Sequence, residues 1–212
     1  DQYISWVDHS VLHLLYSRFF MRALTKVGIV ECAEPFKGLM TQGMVCHATF
    51  KDAGGGWLYP SEVMKKGEQW VTIEGELPAL QGRSEKMSKS KRNTVDPRHI
   101  IEAYGADTAR LFMLSDSPPE RDLEWTDAGI DGAWRYLQRL YRLVAEIGDG
   151  AASPNDEIRR LTHKTIHHVT KDIEAFHFNK AVARMRELTN ALEKADAASP
   201  DYRFALETVL HL

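Results

Sequence analysis

The sequence predicts an α/β segment over its first 115 residues, followed by an all-α antiparallel bundle over the last 85. Three observations carry this reading. Short β-type runs separated by glycine fill the stretch from Gly43 to Arg83. A helix-start pair, Asp96-Pro97, follows a basic loop. From residue 126 onward, apolar residues recur three or four apart in successive segments with short links, which is the pattern of a helix bundle.

Each element follows from local chemistry. Val11, Leu12, Leu15, Phe19, Ala23 and Val27 share one helical face, so a helix is expected over 8–27, capped by Asp8 and ended by Gly28 in the left-handed conformation. A linker with Pro35 and Gly38 follows, and then GMVCHATF over 43–50 reads as a strand. Gly54-Gly55-Gly56 is a turn, and the runs Trp57–Tyr59 and Trp70–Ile73 make 51–83 a small β insertion. Residues 84–95 hold lysine and serine with almost no apolar content and predict an exposed loop. Asp96 caps a helix with Pro97 at its first position and Ile100, Ile101 and Tyr104 on its inner face, and Gly105 stops it. Asp107 then caps a helix bearing Ala109, Leu111, Phe112 and Leu114, which Pro118-Pro119 ends.

The bundle is read the same way. Ile130, Trp134, Leu137, Tyr141 and Val144 mark its first helix, and Gly148–Asn155 links it to a second carrying Ile158, Leu161, Val169, Ile173 and Phe176. Asn179 is the expected cap of a third, with Val182, Met185, Leu188 and Leu192. Ser199-Pro200 precedes a fourth with Tyr202, Leu206, Val209 and Leu210. The aromatics Trp125, Trp134 and Tyr141 are expected in the core.

Composition narrows the function classes. Of 212 residues, 43% are hydrophobic and no run of 18 is apolar, so no membrane-crossing helix is expected. The opening DQYISWVDHS has none of the character of a signal peptide. Cys32 and Cys46 form no CxxC pair, which fits a reducing compartment, and a cytoplasmic location is expected. The ends, Asp1 and an apolar helical pattern running into His211-Leu212, lead to the expectation of a piece of a longer chain. Net charge is −3, yet RSEKMSKSKR at 83–92 carries five cations and one anion, so the rest of the chain sums to −7. A cationic knot in an acidic chain is a candidate anion site.

Lys86-Met87-Ser88-Lys89-Ser90 is the strongest candidate for chemistry. Ammonium groups in a hydroxyl-rich loop can close over a polyphosphate and neutralise charge on a leaving group. The plainer alternative is a solvated basic linker. The loop's position between a strand-rich piece and a well-capped helix favours a functional loop. Neither GxxxxGK[ST] nor GxGxxG occurs elsewhere.

These five residues have the KMSKS signature of class I aminoacyl-tRNA synthetases. Gln42-Gly43-Met44-Val45, EKMSKSKRNTVDP, YGADTARLFMLSDSPPERDLEW and Gly129–Val144 together resemble bacterial leucyl-tRNA synthetases, as does the opening DQYISWVDHSVLHLLYSRFF. Isoleucyl and valyl relatives share the signature and a similar YGAD helix. The resemblance implies the C-terminal half of a class I nucleotide-binding (Rossmann-like) catalytic domain over 1–50, a small β insertion over 51–83, the loop and connecting helices over 84–125, and a truncated anticodon-binding-type bundle over 126–212. It also implies a ligase that activates leucine with ATP and Mg²⁺ and transfers it to tRNA(Leu). Lys89 would stabilise pyrophosphate with Lys86 assisting, and Met87, Ser88 and Ser90 would complete the nucleotide loop. Met44 and Val45 would lie on the strand that touches adenine, and Asp8 and His9 would lie near the ribose. The family carries Gly-Gly before that acidic-His pair, where this chain has Ser5-Trp6. The HIGH-like motif of the class and an editing domain are missing from these residues, so the isolated segment is expected to be inactive.

Two further features stand out in the helical half. His163 and His167 stand four apart, a spacing that suits a metal, with His168 and His177 nearby, but no third ligand follows, so no metal site is expected. Residues 159–186 hold seven Lys or Arg against two Asp or Glu, and Arg159, Arg160, Lys164 and Lys171 lie off the apolar stripe, a face suited to RNA phosphates. The rival reading is a non-catalytic RNA-binding or adaptor protein with a synthetase-like body. Sequence upstream of Asp1 separates the two.

Overall fold

In the computed structural model, residues 2–212 are described, except for the side chains of Gln2, Asp8 and Ser10. The chain packs as two units. One runs to Val95 and takes in Pro119–Trp125, and the other comprises Asp96–Pro118 and Thr126–Leu212.

The first unit opens with a strand the sequence did not announce. β1 (Gln2–Trp6) leads through a 3₁₀ turn at Val7–Ser10 into helix α1 (His13–Lys26), and β2 (Gly38–Gln42) returns parallel to β1, pairing Gln2 with Gly38 and Trp6 with Gln42. This strand–helix–strand crossover is the unit from which nucleotide-binding α/β folds are built. The expected helix over 8–27 thus starts later, with Leu12 rather than Asp8 at its cap. Gly28 does leave it with φ +76°, a conformation open to glycine without a Cβ penalty. The expected apolar stripe faces outward in this chain, and Leu14 is the buried residue of α1.

Strand β3 (Val45–Lys51) follows the expected run at 43–50. It lies in a sheet with β4 (Trp57–Leu58), β5 (Val63–Lys66), β6 (Gln69–Thr72) and β7 (Pro78–Lys86) in the order β4-β3-β7-β6-β5, each pair antiparallel. A short β8 (Leu123–Glu124) pairs parallel with β3. Phe50, Val63 and Ala79 form the core of this sheet, with the Trp70 ring 4.8 Å from Phe50. Strand β7 corrects the expected loop at 84–95, because it continues through Ser84 and Glu85 to Lys86.

The second unit is all helix. α2 (Pro97–Tyr104) begins as expected, with the Asp96 carboxylate accepting the Arg98 N–H at 2.9 Å. α3 (Ala106–Ser115) starts from Gly105, at φ +87°; Asp107 lies inside the helix and pairs with Arg110 rather than capping. α4 (Asp127–Ala145), α5 (Asp156–Glu174), α6 (Phe178–Leu192) and α7 (Pro200–His211) follow. Thr126, Asn155 and Ser199 cap α4, α5 and α7, whereas α6 begins at Phe178 after His177, one residue before the expected cap Asn179.

Tyr136, Leu140, Leu143, Ile158, Leu188, Leu192, Tyr202, Ala205, Leu206 and Val209 form one core. Two tyrosines are buried there because each hydroxyl has a partner: Tyr136 Oη lies 3.0 Å from Thr189 Oγ1, and Tyr202 donates to Leu143 O at 3.2 Å. Tyr141, expected inside, is 76% exposed. The buried face of α4 runs through Ile130, Ala133, Tyr136, Leu140 and Leu143, so most of it lies one residue before the face the large side chains suggested.

Candidate active site

The basic loop is an ordered structure growing out of a strand. Lys86 ends β7 opposite Cys46 of β3, and the Met87 N–H continues the ladder by donating to Val45 O at 3.1 Å. Met44–Val45 and Lys86–Met87, about 40 positions apart in sequence, are therefore neighbours across two strands. Ser88 then caps a 3₁₀ turn at Lys89–Lys91: its Oγ accepts the Lys91 N–H at 3.3 Å and lies 3.2 Å from Ser90 Oγ. Arg92 closes the turn in the left-handed region at φ +53°.

Electrostatics divide the cations. Lys91 hydrogen-bonds Glu85, and this bond, reinforced by the ammonium charge, holds the Glu85 carboxyl below the usual carboxylate range. The Arg92 guanidinium lies 5.2 Å from the centre of the Tyr59 ring, a cation–π contact with the β insertion. Lys89 and Ser90 lie on the exposed side of the turn, and Lys86 is exposed where β7 ends. An ammonium group at the strand end and another on the turn, together with the serine hydroxyls of the turn, fit a polyphosphate.

Beneath the loop, Met44 is fixed through its backbone. Its N–H donates to Asp122 Oδ1 at 2.7 Å, and its carbonyl accepts the Leu123 N–H at 2.8 Å. Gly43 donates to Pro119 O at 2.9 Å, and a Cβ there would sit 2.1 Å from the Arg121 carbonyl oxygen, so the close approach requires glycine. Met44 and Val45 are half-buried. Neighbouring Cys46 has its thiol pushed up, first by burial and then by the charges of Asp122 and Glu124, which makes it a poor nucleophile.

His9 sits in the 3₁₀ turn after β1, beyond the carboxyl end of the parallel pair, the end at which open α/β sheets bind ligands. Its Nδ1 lies 2.6 Å from Ser5 Oγ, so the serine that stands where the family has glycine orients this imidazole. Trp6 is half exposed. The structure joins Val45 to the loop through a shared ladder, with Met44 beside it, whereas His9 is held by Ser5 of the preceding strand. The Asp8 side chain lies outside the described residues.

Three contributors escaped sequence reasoning. Asn93 is fully buried and tied to the loop, Asp122 anchors Met44, and Tyr59 receives Arg92. A lone asparagine two residues beyond a serine-lysine run carries no periodic signal. Asp122 lay within the PPERDLEW stretch, which served only to mark a resemblance.

Among the described residues, no three His, Cys, Asp or Glu side chains gather to hold a metal ion. The histidines of α5 are engaged otherwise: the His167 and His168 rings lie 5.4 Å apart, and His163 lies against Phe204. The His168 imidazole is pushed below its usual value, first by burial and then by the charges of Arg184, His167 and Lys164. The expected basic face also changes. Arg159 is bound to Asp201 through two contacts, at 2.8 and 3.3 Å, and Arg184 pairs with Asp172 at 2.5 Å. Arg160, Lys164 and Lys171 stay exposed and, at spacings of four and seven, share one side of α5.

Residues 69–126 match the family of class I tRNA synthetases (I, L, M and V). With the strand–helix–strand unit, the sheet, and the KMSKS turn, this defines the class: the chain is a segment of a class I tRNA synthetase. It is 59% identical over 206 residues to the leucine–tRNA ligase of Paramagnetospirillum magneticum, covering 93% of this chain and 24% of that protein. It is 52% identical over 232 residues to the leucine–tRNA ligase of Rhodospirillum rubrum, covering all of this chain and 26% of that one. The crystal structure of the ternary complex of Agrobacterium radiobacter K84 agnB2 LeuRS with tRNA and LeuAMS superposes with a TM-score of 0.69 at 28% identity, covering 99% of this chain and 25% of that one. Within the class, the chain belongs with the leucine–tRNA ligases, and it spans about a quarter of the length of these relatives.

Proposed function

We propose that this segment supplies the phosphate-binding loop and the helical region of a leucine–tRNA ligase. The ligase activates leucine with ATP and transfers the leucyl group to tRNA(Leu). The observation that carries this reading is the KMSKS turn laddered onto the Met44–Val45 strand. In the first step the leucine carboxylate attacks the α-phosphorus of ATP, the bond to the bridging oxygen breaks, and pyrophosphate leaves with the electron pair. Lys89, on the exposed turn, meets the charge that builds on the departing pyrophosphate. Lys86 assists, and Ser88 and Ser90 contribute hydroxyls. Met44 and Val45 lie on the strand whose backbone meets adenine, and His9, oriented by Ser5, and Asp8 lie toward the ribose. In the second step a terminal ribose hydroxyl of the tRNA attacks the leucyl carbonyl and AMP leaves.

The reading brings Mg²⁺ with the nucleotide. This segment offers it no cluster of three His, Cys, Asp or Glu side chains among the described residues. The tRNA body would meet the row Arg160, Lys164 and Lys171, with Arg159 left out because Asp201 holds it. No helix of the described residues is long and apolar enough to cross a membrane, and a cytoplasmic enzyme is the reading that fits.

The test is Lys89→Ala in the full-length ligase. Leucine-dependent exchange of pyrophosphate into ATP should lose ~10²–10³ in kcat, the usual cost of removing one preorganised charge at a transition state, with the leucine KM little changed. A raised KM at constant kcat refutes the role given to Lys89. An absence of exchange in the unmutated full-length protein would favour the adaptor reading.

A further inference from the structure

The least exposed polar side chain near the loop is one to which no role has yet been given. Asn93 has 0% exposure, although it follows the solvent-facing Lys89–Arg92 stretch. Its amide is fully used. Oδ1 accepts the Ser88 N–H at 2.8 Å, and Nδ2 lies 3.1 Å from His47 O, 3.0 Å from Glu85 O and 3.3 Å from Lys86 O. Two amide hydrogens are thus shared among three carbonyls, one on β3 and two on the last residues of β7. The acceptor side of the same group holds the first residue of the turn.

We propose that Asn93 is the positioning residue of the KMSKS turn, holding its two ends in register with the Met44–Val45 strand so that Lys86 and Lys89 meet the phosphates from a fixed base. This rests on the ligase reading above. The geometry gives the amide a specific task. Residues 86–93 form a loop whose stem is the β3–β7 ladder, and beyond Lys86 that ladder adds the single Met87–Val45 bond. Past that point the chain leaves the sheet, turns through Lys89–Lys91 and must come back. Asn93 bonds to Ser88 on the outgoing side, and to Glu85 and Lys86 where the strand ends. It therefore closes the loop neck from within. The Glu85–Lys91 pair and the contact of Arg92 with Tyr59 brace the outer side of the same neck. What is left to move is Lys89 and Ser90, the part that has to follow a phosphate as its charge changes.

Neither aspartate nor alanine reproduces the set of contacts. Aspartate keeps the acceptor for Ser88 but sets a carboxylate oxygen against three carbonyl oxygens. Alanine leaves a buried N–H and the neck carbonyls without their partner, and burying unpaired polar groups is costly. A misplacement of about 1 Å at a reacting centre can lower a rate by ~10².

The test uses the full-length ligase with three variants, followed by pyrophosphate exchange and by hydrogen exchange of the segment 86–92. Lys89→Ala first checks the reading beneath the proposal. If it does not lower kcat, the loop is not the phosphate site and the ligase assignment of this turn fails. Given that loss, Asn93→Ala should lower kcat by roughly ten- to a hundredfold with the leucine KM within about twofold. It should also speed amide exchange across 86–92 at least tenfold while α5 stays protected. A merely structural role would lower the amount of active enzyme and loosen both regions together. Should Asn93→Ala not fold, Asn93→Asp decides. Protonation of its carboxyl restores one donor, so its deficit relative to the unmutated enzyme should shrink several-fold between pH 8.5 and pH 6.5. Unmutated kcat in Asn93→Ala, or a deficit in Asn93→Asp that does not change with pH, overturns the proposal.

Discussion

Gly129 and Gly132 stand three residues apart on α4, and the same substitution should move stability in opposite directions at the two sites. At Gly132 an added Cβ would meet nothing within 4 Å, because the position opens on a cavity of about 330 Å³ also lined by Val182, Ala183 and Arg186. Alanine there should collect the helix-propensity gain of ~1 kcal/mol. At Gly129 a Cβ would lie 2.4 Å from Phe112 Cε2 and 2.9 Å from Thr126 Oγ1, and Phe112 is fully buried. The ring would have to shift, and overpacking of this kind costs ~1–3 kcal/mol. Near the helix start the propensity gain is smaller, so the net effect is a destabilisation of ~1–2 kcal/mol. For a chain of this size, 1 kcal/mol shifts Tm by ~2–4 °C. The thermal transition followed by circular dichroism at 222 nm, which reports mainly the helical unit, should rise by ~2–4 °C for Gly132→Ala and fall by ~2–6 °C for Gly129→Ala. Shifts of the same sign in both variants would show that the packing of Phe112 against α4 is not as described.

Two further outcomes follow from charge. The Asp201 carboxyl is held below the usual carboxylate range, chiefly by the hydrogen bond from Arg159 and also by the Asn155 N–H. A depressed folded-state value means that its contribution is complete above the unfolded pKa and is lost as pH falls through the folded one. Urea unfolding should therefore show the stability gap between the unmutated chain and Asp201→Asn closing between roughly pH 5 and pH 2, and parallel pH profiles would refute the linkage. Reversing Arg160, Lys164 and Lys171 together to Glu in the full-length ligase should weaken tRNA binding and flatten its salt dependence while leaving pyrophosphate exchange intact. An unchanged salt slope would make this row an ordinary helix surface.

The bundle helices were legible because their apolar periods are long and local. Which face turned inward was less legible. On α4 the large residues Trp134 and Tyr141 outweighed Ala133 and Tyr136 in the sequence, yet Tyr136 is the one whose hydroxyl finds a partner in Thr189. Polarity hid β7: only Ala79 is buried along it, and pairing with β3 and β6 holds the strand rather than an alternating apolar face. The parallel partnership of β1 with β2 joins residues 36 apart and leaves no local mark. In the candidate site the KMSKS residues announced themselves by charge. The groups that shape them, Asn93, Asp122 and Tyr59, act through backbone atoms and a ring face that only the folded chain brings together.

The helices differ in what holds them, and this sets an order of opening within the chain. α1 has 14 residues, of which Leu14 is the one buried, while Leu12, Leu15 and Phe19 face water. α6, with 15 residues, buries Ala181, Val182, Leu188, Thr189 and Leu192. A helix of about 12–15 residues is marginal when it must rely on propensity alone. Taken as this segment alone, α1 should therefore release its amide hydrogens to solvent at a smaller free-energy cost than α6, which hydrogen exchange would read directly. Those of α6 are given up only when the core around Leu188 and Leu192 comes apart.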